Sequence, residues 1–423
     1  MVEIMRSSIK NLPTSGIGLL LAISEDSEAI SLGVGSPNFD TPHHIIGAAI
    51  DALHTGRSHY SPDYGIPELQ TAIASKIASE TGVYLDPLKE IVVTAGSSPA
   101  LFNSVMSLVD TNDDVLIPTP SYFAYDFITR IVGGHSIIVP SYEEHGFIPT
   151  PDDLAEAVTP KSKMLVICSP NNPTGAVWGL DSLKAAADIA VDHNLIVLSD
   201  ELYQRIVFDG TVAHSILEID GLVDRCIVIN GLSKSHAMAG FRLGWIAGNA
   251  ELLEGFKALH QYNSICAPMV SQHAALAALT GPDEPVREMI DEYARRRNLL
   301  VGRLTGEVPL VSVKAPKGSI FMFPSVKNLI EAHLDDMVAY LKGAEGRMAL
   351  NRLPPSLFRM EDLQSSGSLV AMLFLYARAR VVTASGSFFG KSGEGFIRMS
   401  FAPTSETINE AVDRIISALE PWE

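Results

Sequence analysis

Seven short apolar, β-branched runs punctuate the middle of the chain: Ile91–Thr94, Asp114–Pro118, Ser136–Pro140, Met164–Cys168, Leu195–Ser199, Cys226–Asn230 and Gly244–Ala247. They do not alternate apolar with polar residues. A strand wetted on one face alternates; a strand buried on both faces does not. The runs therefore predict buried, mainly parallel strands. Most are separated by stretches with helical spacing, such as Pro67–Glu80, Ala100–Asp110 and Leu180–His193. Strand–helix alternation builds βαβ units, hence an open sheet with helices on both faces.

After about Glu284 the texture changes. The stretch VREMIDEYARRRNLLVGRL predicts a long charged helix leading into a second, α+β domain. The segment Lys342–Ser368 carries Gly, Pro-Pro and Ser-Ser-Gly-Ser, and reads as a surface loop or insertion.

Length and composition narrow the possibilities. The 423 residues leave room for two or three domains, or for one large domain with a smaller companion. With 47 % hydrophobic and 19 % charged residues, the chain has enough apolar surface to fold, which excludes a disordered polyelectrolyte. Lys and Arg total 31 against 49 Asp and Glu, a formal net charge of −18. That balance argues against nucleic acid and against an anionic membrane surface, both of which need cations. Three cysteines, Cys168, Cys226 and Cys266, are too few for a disulfide framework and suit reduced thiols in the cytoplasm. The amino terminus has no apolar core followed by a cleavage site. The longest apolar runs, such as Leu369–Ala377, fall well short of the roughly 18 residues a membrane span needs.

In open parallel sheets, ligands bind beyond the carboxyl ends of the strands. The residues after each run are therefore the informative ones. After Ile91–Thr94 comes AGSSPALF, with small residues, Ser98 as an expected N-cap and Pro99 as a first helical residue. The N–H groups of Ser97 and Ser98 would then form an anion site. After Asp114–Pro118 comes TPSYFAY, where Tyr122 or Phe123 would lay a ring over a ligand. After Met164–Cys168 comes SPNNPTG, a tight turn that aims Asn172. After Leu195–Ser199 comes DELYQ. Asp200 at a buried strand end requires a cationic partner, and Tyr203 would present a phenol nearby. After Cys226–Asn230 comes GLSKSHAMAGFRLGW. Its Lys234 stands among small and apolar residues, where desolvation makes an amine nucleophilic, and Arg242 follows. His236 reads as structural. Each feature alone has an ordinary explanation as a turn, a core aromatic or a surface charge. Together they suit a flat, phosphorylated, cationic heteroaromatic aldehyde, pyridoxal 5′-phosphate.

The sequence resembles the class I/II, fold-type I pyridoxal-phosphate aminotransferases, the aspartate-aminotransferase-like family. The resemblance runs from about Ser15 to about Leu419. SKSHAMAGFRLGW, SPNNPTG and DELY carry it, with SLGVGSPNFDTP (Ser31–Pro42), HYSPDYGIPEL (His59–Leu69) and GEGFIRMSFA (Gly393–Ala402). It implies an α/β fold: a large α/β/α domain, residues 45–285, around a mainly parallel seven-stranded sheet. The smaller α+β domain would combine residues 1–44 and 286–423. It also implies a cytoplasmic homodimer with shared active sites.

By the same resemblance, Lys234 is the Schiff-base lysine, holding the cofactor as an aldimine and then moving protons. Asp200 pairs with the pyridinium nitrogen. Asn172 and Tyr203 donate to the phenolic oxygen, and Tyr122 stacks on the ring. Ser97, Ser98, Ser233 and Arg242 form the phosphate cup. Tyr60 reaches the phosphate of the neighbouring subunit. Arg398 forks the substrate α-carboxylate, with Gly35 and Asn172 beside it, and the segment around Ser15–Ile17 closes over the substrate. The implied reaction moves an amino group from an L-amino acid to a 2-oxo acid by ping-pong half-reactions. The residues themselves show no isolated Arg or Lys that must meet a distal carboxylate, which favours a neutral, aliphatic or aromatic amino acid over aspartate.

Departures from the family pattern are Gly231, where many relatives have a phosphate-binding Ser, Pro99 in the phosphate loop, and Ser385 in TASGSFFG. Alternatives on the same fold are a C–S β-lyase and an oxidase or cyclase of specialised metabolism. Many β-lyases carry Asp-Glu-x-His where this chain has Asp200–Tyr203, which favours transamination. A transcription regulator would need a DNA-binding domain that Met1–Pro13 is too short to hold.

Overall fold

The computed structural model describes residues 16–422, so the expectations placed on Met1–Pro13 and on Ser15 fall outside the described residues. The strands are β1 Ile30–Ser31, β2 Ile91–Thr94, β3 Asp114–Thr119, β4 His135–Pro140, β5 Ser162–Cys168, β6 Ile196–Asp200, β7 Cys226–Gly231, β8 Gly244–Gly248, β9 Phe321–Met322, β10 Val381–Val382, β11 Ala384–Ser385 and β12 Ile397–Ser400. All seven expected strands lie in one seven-stranded sheet of order β2-β8-β7-β6-β5-β3-β4. Only β8 runs antiparallel to its neighbours β2 and β7. The other pairs are parallel.

Successive side chains of a strand point to opposite faces, and the core divides accordingly. Leu116, Leu165, Ile167, Val197 and Val228 pack on one side against helices Pro67–Thr81, Leu180–Asp192 and Met269–Thr280. Val115, Ile117, Val166, Leu198 and Ile229 pack on the other against helices Ser97–Leu108 and Ala124–Val132. Apolar residues on both faces are what two helical layers demand. The strand β4 differs: as an edge strand it is only half-covered, and Ile138 is exposed.

The charged stretch after Glu284 forms one helix, Glu284–Glu307. Beyond it, β9, β11 and β12 make a small antiparallel sheet. The parallel pair β1–β10 joins the early chain to the late chain. A single apolar cluster contains Leu19, Leu20, Ile23 and Leu32 together with residues from Tyr293 to Leu419.

The segment Lys342–Ser368 corrects the expectation of a surface loop. It holds a helix Ala344–Leu350, a 3-10 turn Met360–Gln364 and the start of helix Gly367–Phe374. Leu350, Leu353, Phe358 and Leu363 are buried in the main apolar cluster. The Pro, Ser and Gly residues mark turns between short helices, and the spaced apolar residues anchor them. Substituting Leu350→Ala should therefore cost about 2–5 kcal/mol, as for other buried Leu→Ala changes. The neighbouring exposed Met348→Ala should change stability by no more than about 0.5 kcal/mol. Urea unfolding of the two variants checks this; equal, small effects would return the segment to the surface.

Candidate active site

The carboxyl ends of β2, β3, β5, β6 and β7 lie along one edge of the sheet, because these strands are mutually parallel in direction. The antiparallel β8 starts at that edge, so Arg242, just before it, reaches the same place. A cavity of about 350 Å³ opens there. Its lining includes Ser97, Ser98, Tyr122, Asn172, Asp200, Tyr203, Ser233, Lys234 and Arg242. Gly35, Phe321 and Arg398 close it from the other side. Eleven of the expected site residues thus converge; Tyr60 does not line this cavity and is 79 % exposed.

The helix Ser97–Leu108 starts two residues earlier than expected. Gly96, with φ 106°, is its N-cap, and no side chain caps it. Ser98 is therefore not the cap, and Pro99 is not the first helical residue. A glycine is required at this corner: a Cβ on Gly96 would lie 2.5 Å from the Arg242 guanidinium. A Cβ on Gly244 would meet the Ser97 backbone nitrogen at 2.7 Å. The first-turn N–H groups and Arg242 are thus pressed together, a positive cradle suited to an anion.

The Lys234 Nζ donates to the Gly35 carbonyl at 2.5 Å. Burial, with Arg398 and Arg242 nearby, brings its amine pKa down to about 8. Arg398 projects from β12 and is 4 % exposed. Its guanidinium donates to Asn172 Oδ1 at 2.8 Å and to the Gly33 carbonyl at 2.6 Å. It lies over the rings of Phe321 and Phe389, 4.2 Å and 4.8 Å from their centroids. Its Nε is buried without a hydrogen-bond partner. Desolvation lowers its pKa to about 10, so it remains a cation at neutral pH. Asn172 spends its carbonyl oxygen on Arg398, which leaves its amide N–H₂ for a ligand.

Asp200 ends β6 and is the only carboxylate among the described lining residues. Its partners are neutral: the Tyr125 hydroxyl donates at 2.8 Å and the Leu202 N–H at 3.2 Å. Burial raises its pKa, and these two donors pull it back. The protein cation that a buried carboxylate needs is not among them. Lys234, Arg242 and Arg398, the cations of the lining, in turn have no carboxylate partner there.

Among the lining residues that escaped the reading of the sequence are Tyr125 and Phe321. Tyr125 stands three residues after Tyr122, one helical turn on, and that spacing was the available signal. Phe321 is brought in from β9 and carried no signal. His236 is structural as expected: it is 1 % exposed, bonds to Ser235 Oγ at 2.8 Å, and burial lowers its pKa to about 3. Among the described residues no cluster of His, Cys, Asp and Glu suits a metal ion.

The donor set fits one composite ligand: an anion for the cradle, a cation for Asp200, a second anion for Arg398, and an electrophile for the amine. Comparison with known proteins agrees. Residues 27–415 match the family described as Aminotransferase class I and II. The aromatic-amino-acid aminotransferase 2 of Thermococcus litoralis is 38 % identical over 92 % of this chain and 92 % of that protein. The aspartate aminotransferase of Pyrococcus abyssi is 38 % identical over 93 % and 92 %. The solved aspartate aminotransferase of Rhizobium meliloti superposes with a TM-score of 0.85 at 30 % identity, covering 98 % of each chain. The chain belongs to the class I and II aminotransferases. It is an enzyme that transfers amino groups, on the fold-type I architecture.

The lowered pKa of Lys234 has a direct consequence. An amine reacts in its neutral form, which here becomes half-populated near pH 8 rather than near 10.5. Adduct formation between the cofactor-free protein and a small aldehyde, trapped by borohydride at Lys234, should rise through about pH 8 and then level. A rate still climbing above about pH 10, as for an ordinary lysine, would contradict the geometry.

Proposed function

We propose that the chain works with pyridoxal 5′-phosphate, held at the sheet edge with Lys234 as its covalent anchor. The observation that carries this is the mismatch of charges: one cavity-facing carboxylate without a cation, and three cations without carboxylates. In this reading Ser97, Ser98, Ser233 and Arg242 hold the phosphate. Tyr122 covers the ring face, and Asp200 holds a proton on the ring nitrogen. Asn172 and Tyr203 donate to the ring oxygen. When bound, the cofactor supplies an electron sink for the carbanion left when the substrate Cα–H is broken.

The protein's share is binding, orientation and proton transfer. Arg398 fixes the substrate carboxylate by two parallel N–H bonds, a geometry that Lys does not reproduce. The Gly35 carbonyl borders the same pocket and accepts from Lys234 Nζ in the cofactor-free chain. Freed by the incoming amine, Lys234, with its pKa of about 8, would be the base that takes a proton from the substrate Cα and returns it two atoms along, at the cofactor's former aldehyde carbon. Ile17, Leu20 and Leu21 of helix Gly16–Ser24 wall the cavity and restrict water.

The amino donor in this reading has an apolar or aromatic side chain. Leu20, Leu21, Leu101, Phe123 and Leu202 are in the lining, and the three lining cations already have roles. Two further elements belong to the same proposal. The large domain spans 45–285, and the small domain combines 1–44 with 286–423; the shared apolar cluster of Leu19–Leu32 with Tyr293–Leu419 supports that division. The working unit is a cytoplasmic homodimer, for which the exposed Tyr60 is available to a second copy.

A panel of amino acids and 2-oxo acids, followed by the absorbance change from the aldehyde to the amine form of the cofactor, tests the reading. Phenylalanine or leucine should convert the cofactor faster than aspartate, with no ammonia released. Preference for aspartate would overturn the side-chain assignment, and release of ammonia with pyruvate would replace transfer by elimination. Arg398→Ala should raise KM for amino acids about 100-fold, the loss of a strong bidentate pair, with cofactor affinity changed far less. Unchanged amino-acid kinetics would remove Arg398 from the carboxylate role.

A further inference from the structure

Tyr125 has no part in the roles given above. It sits in the first turn of helix Ala124–Val132, and its side chain runs beneath the strand ends among Ile117, Val166 and Cys168. It is 1 % exposed. Its hydroxyl meets Asp200 Oδ2 at 2.8 Å, while Asp200 Oδ1 takes the Leu202 N–H at 3.2 Å. Each carboxylate oxygen thus has one protein donor, and the remaining acceptor capacity faces the cavity. Burial and the adjacent carboxylate hold the Tyr125 phenol far above its ordinary pKa. It therefore keeps its proton and acts as a permanent donor. The same ring packs edge-on against Tyr122, with centroids 5.7 Å apart at 84°.

We infer that Tyr125 is a positioning residue for the cofactor: its O–H fixes the orientation of the Asp200 carboxylate and favours its anionic form. A hydrogen bond to the charged form stabilises that form, and a bond to an ionised group is stronger than a neutral one. Backbone donation from Leu202 alone leaves the carboxylate free to turn about its Cβ–Cγ bond. With Tyr125 in place, both oxygens are held and the acceptor edge presented to the cavity is constant. This inference rests on the proposed pairing of Asp200 with the ring nitrogen. A purely structural role is the competing explanation, because the ring also fills the core between two strands.

The substitution Tyr125→Phe separates the two, since it keeps the ring and removes only the hydroxyl. The measurement is the dissociation constant of pyridoxal 5′-phosphate from the cofactor-free protein, by absorbance titration, for four forms: the parent, Tyr125→Phe, Asp200→Ala and the double variant. Thermal midpoints of the cofactor-free proteins check that each is folded. Tyr125→Phe should bind about tenfold more weakly, equivalent to about 1.4 kcal/mol. Asp200→Ala should lose more, and adding Tyr125→Phe to it should cause no further loss, because the hydroxyl acts through the carboxylate. Additive losses would make Tyr125 structural and overturn the inference. An unchanged constant in Tyr125→Phe, with a weakened Asp200→Ala, would overturn it while leaving the Asp200 pairing intact. An unchanged constant in Asp200→Ala would instead remove the pairing on which it rests.

Discussion

A carboxylate at the end of a central strand, with neutral donors but no cation, is the constraint on which the site depends. Asp200 follows four buried residues of β6 and faces a cavity rather than solvent. Removing a carboxylate from water costs several kcal/mol unless a positive charge compensates. Among the described residues the fold supplies only the Tyr125 hydroxyl and the Leu202 N–H. The compensation has to come from a ligand, and the rest of the cavity is arranged for that ligand's other groups. Three cations wait without carboxylates on its walls, in a chain whose net charge is −18. The acidity of the whole protein therefore sharpens the site: negative charge is plentiful elsewhere, yet Asp200 is the only carboxylate among the described lining residues.

The topology makes this arrangement possible. Parallel strands send their following loops to one edge, and each loop contributes one part. The antiparallel β8 places Arg242 at that edge by beginning where the others end. Arg398 and Gly35 arrive from the other core cluster, on β12 and on the chain after β1. Binding energy for a ligand that bridges these elements is also folding energy, because whatever binds the folded form alone stabilises it. A site with mismatched charges is locally unfavourable before the ligand is bound, and its occupancy offsets that cost.

Much of this was legible in the sequence, for a physical reason. Strands such as Met164–Cys168 and Cys226–Asn230 are buried on both faces, so they appear as unbroken apolar runs, and the informative residues follow them directly. Lys234, Asp200, Asn172 and Ser97 were readable because each is tied to a strand end by a few residues. The rest depends on contacts between distant positions. Phe321 meets Arg398 only after folding. The bond from Tyr125 to Asp200 joins a helix start and a strand end that no local pattern connects. The start of helix Ser97–Leu108 was misread because Ser98–Pro99 is a strong capping signal, whereas the close approach of Arg242 forces Gly96 into that position. The segment Lys342–Ser368 was misread because Pro, Gly and Ser mark turns equally well on a surface loop and between short packed helices. Its burial is set by partners elsewhere in the chain.

The protonation state of the bound cofactor's ring nitrogen tests the central claim most directly. It can be read from the nitrogen-15 chemical shift of ring-labelled pyridoxal 5′-phosphate on the intact protein, followed across pH. If Asp200 lacks a cation because the ligand supplies one, the nitrogen should keep the shift of a protonated pyridinium to about pH 8 or beyond, since an adjacent opposite charge favours the charged form. A shift characteristic of the unprotonated ring at neutral pH would contradict the account.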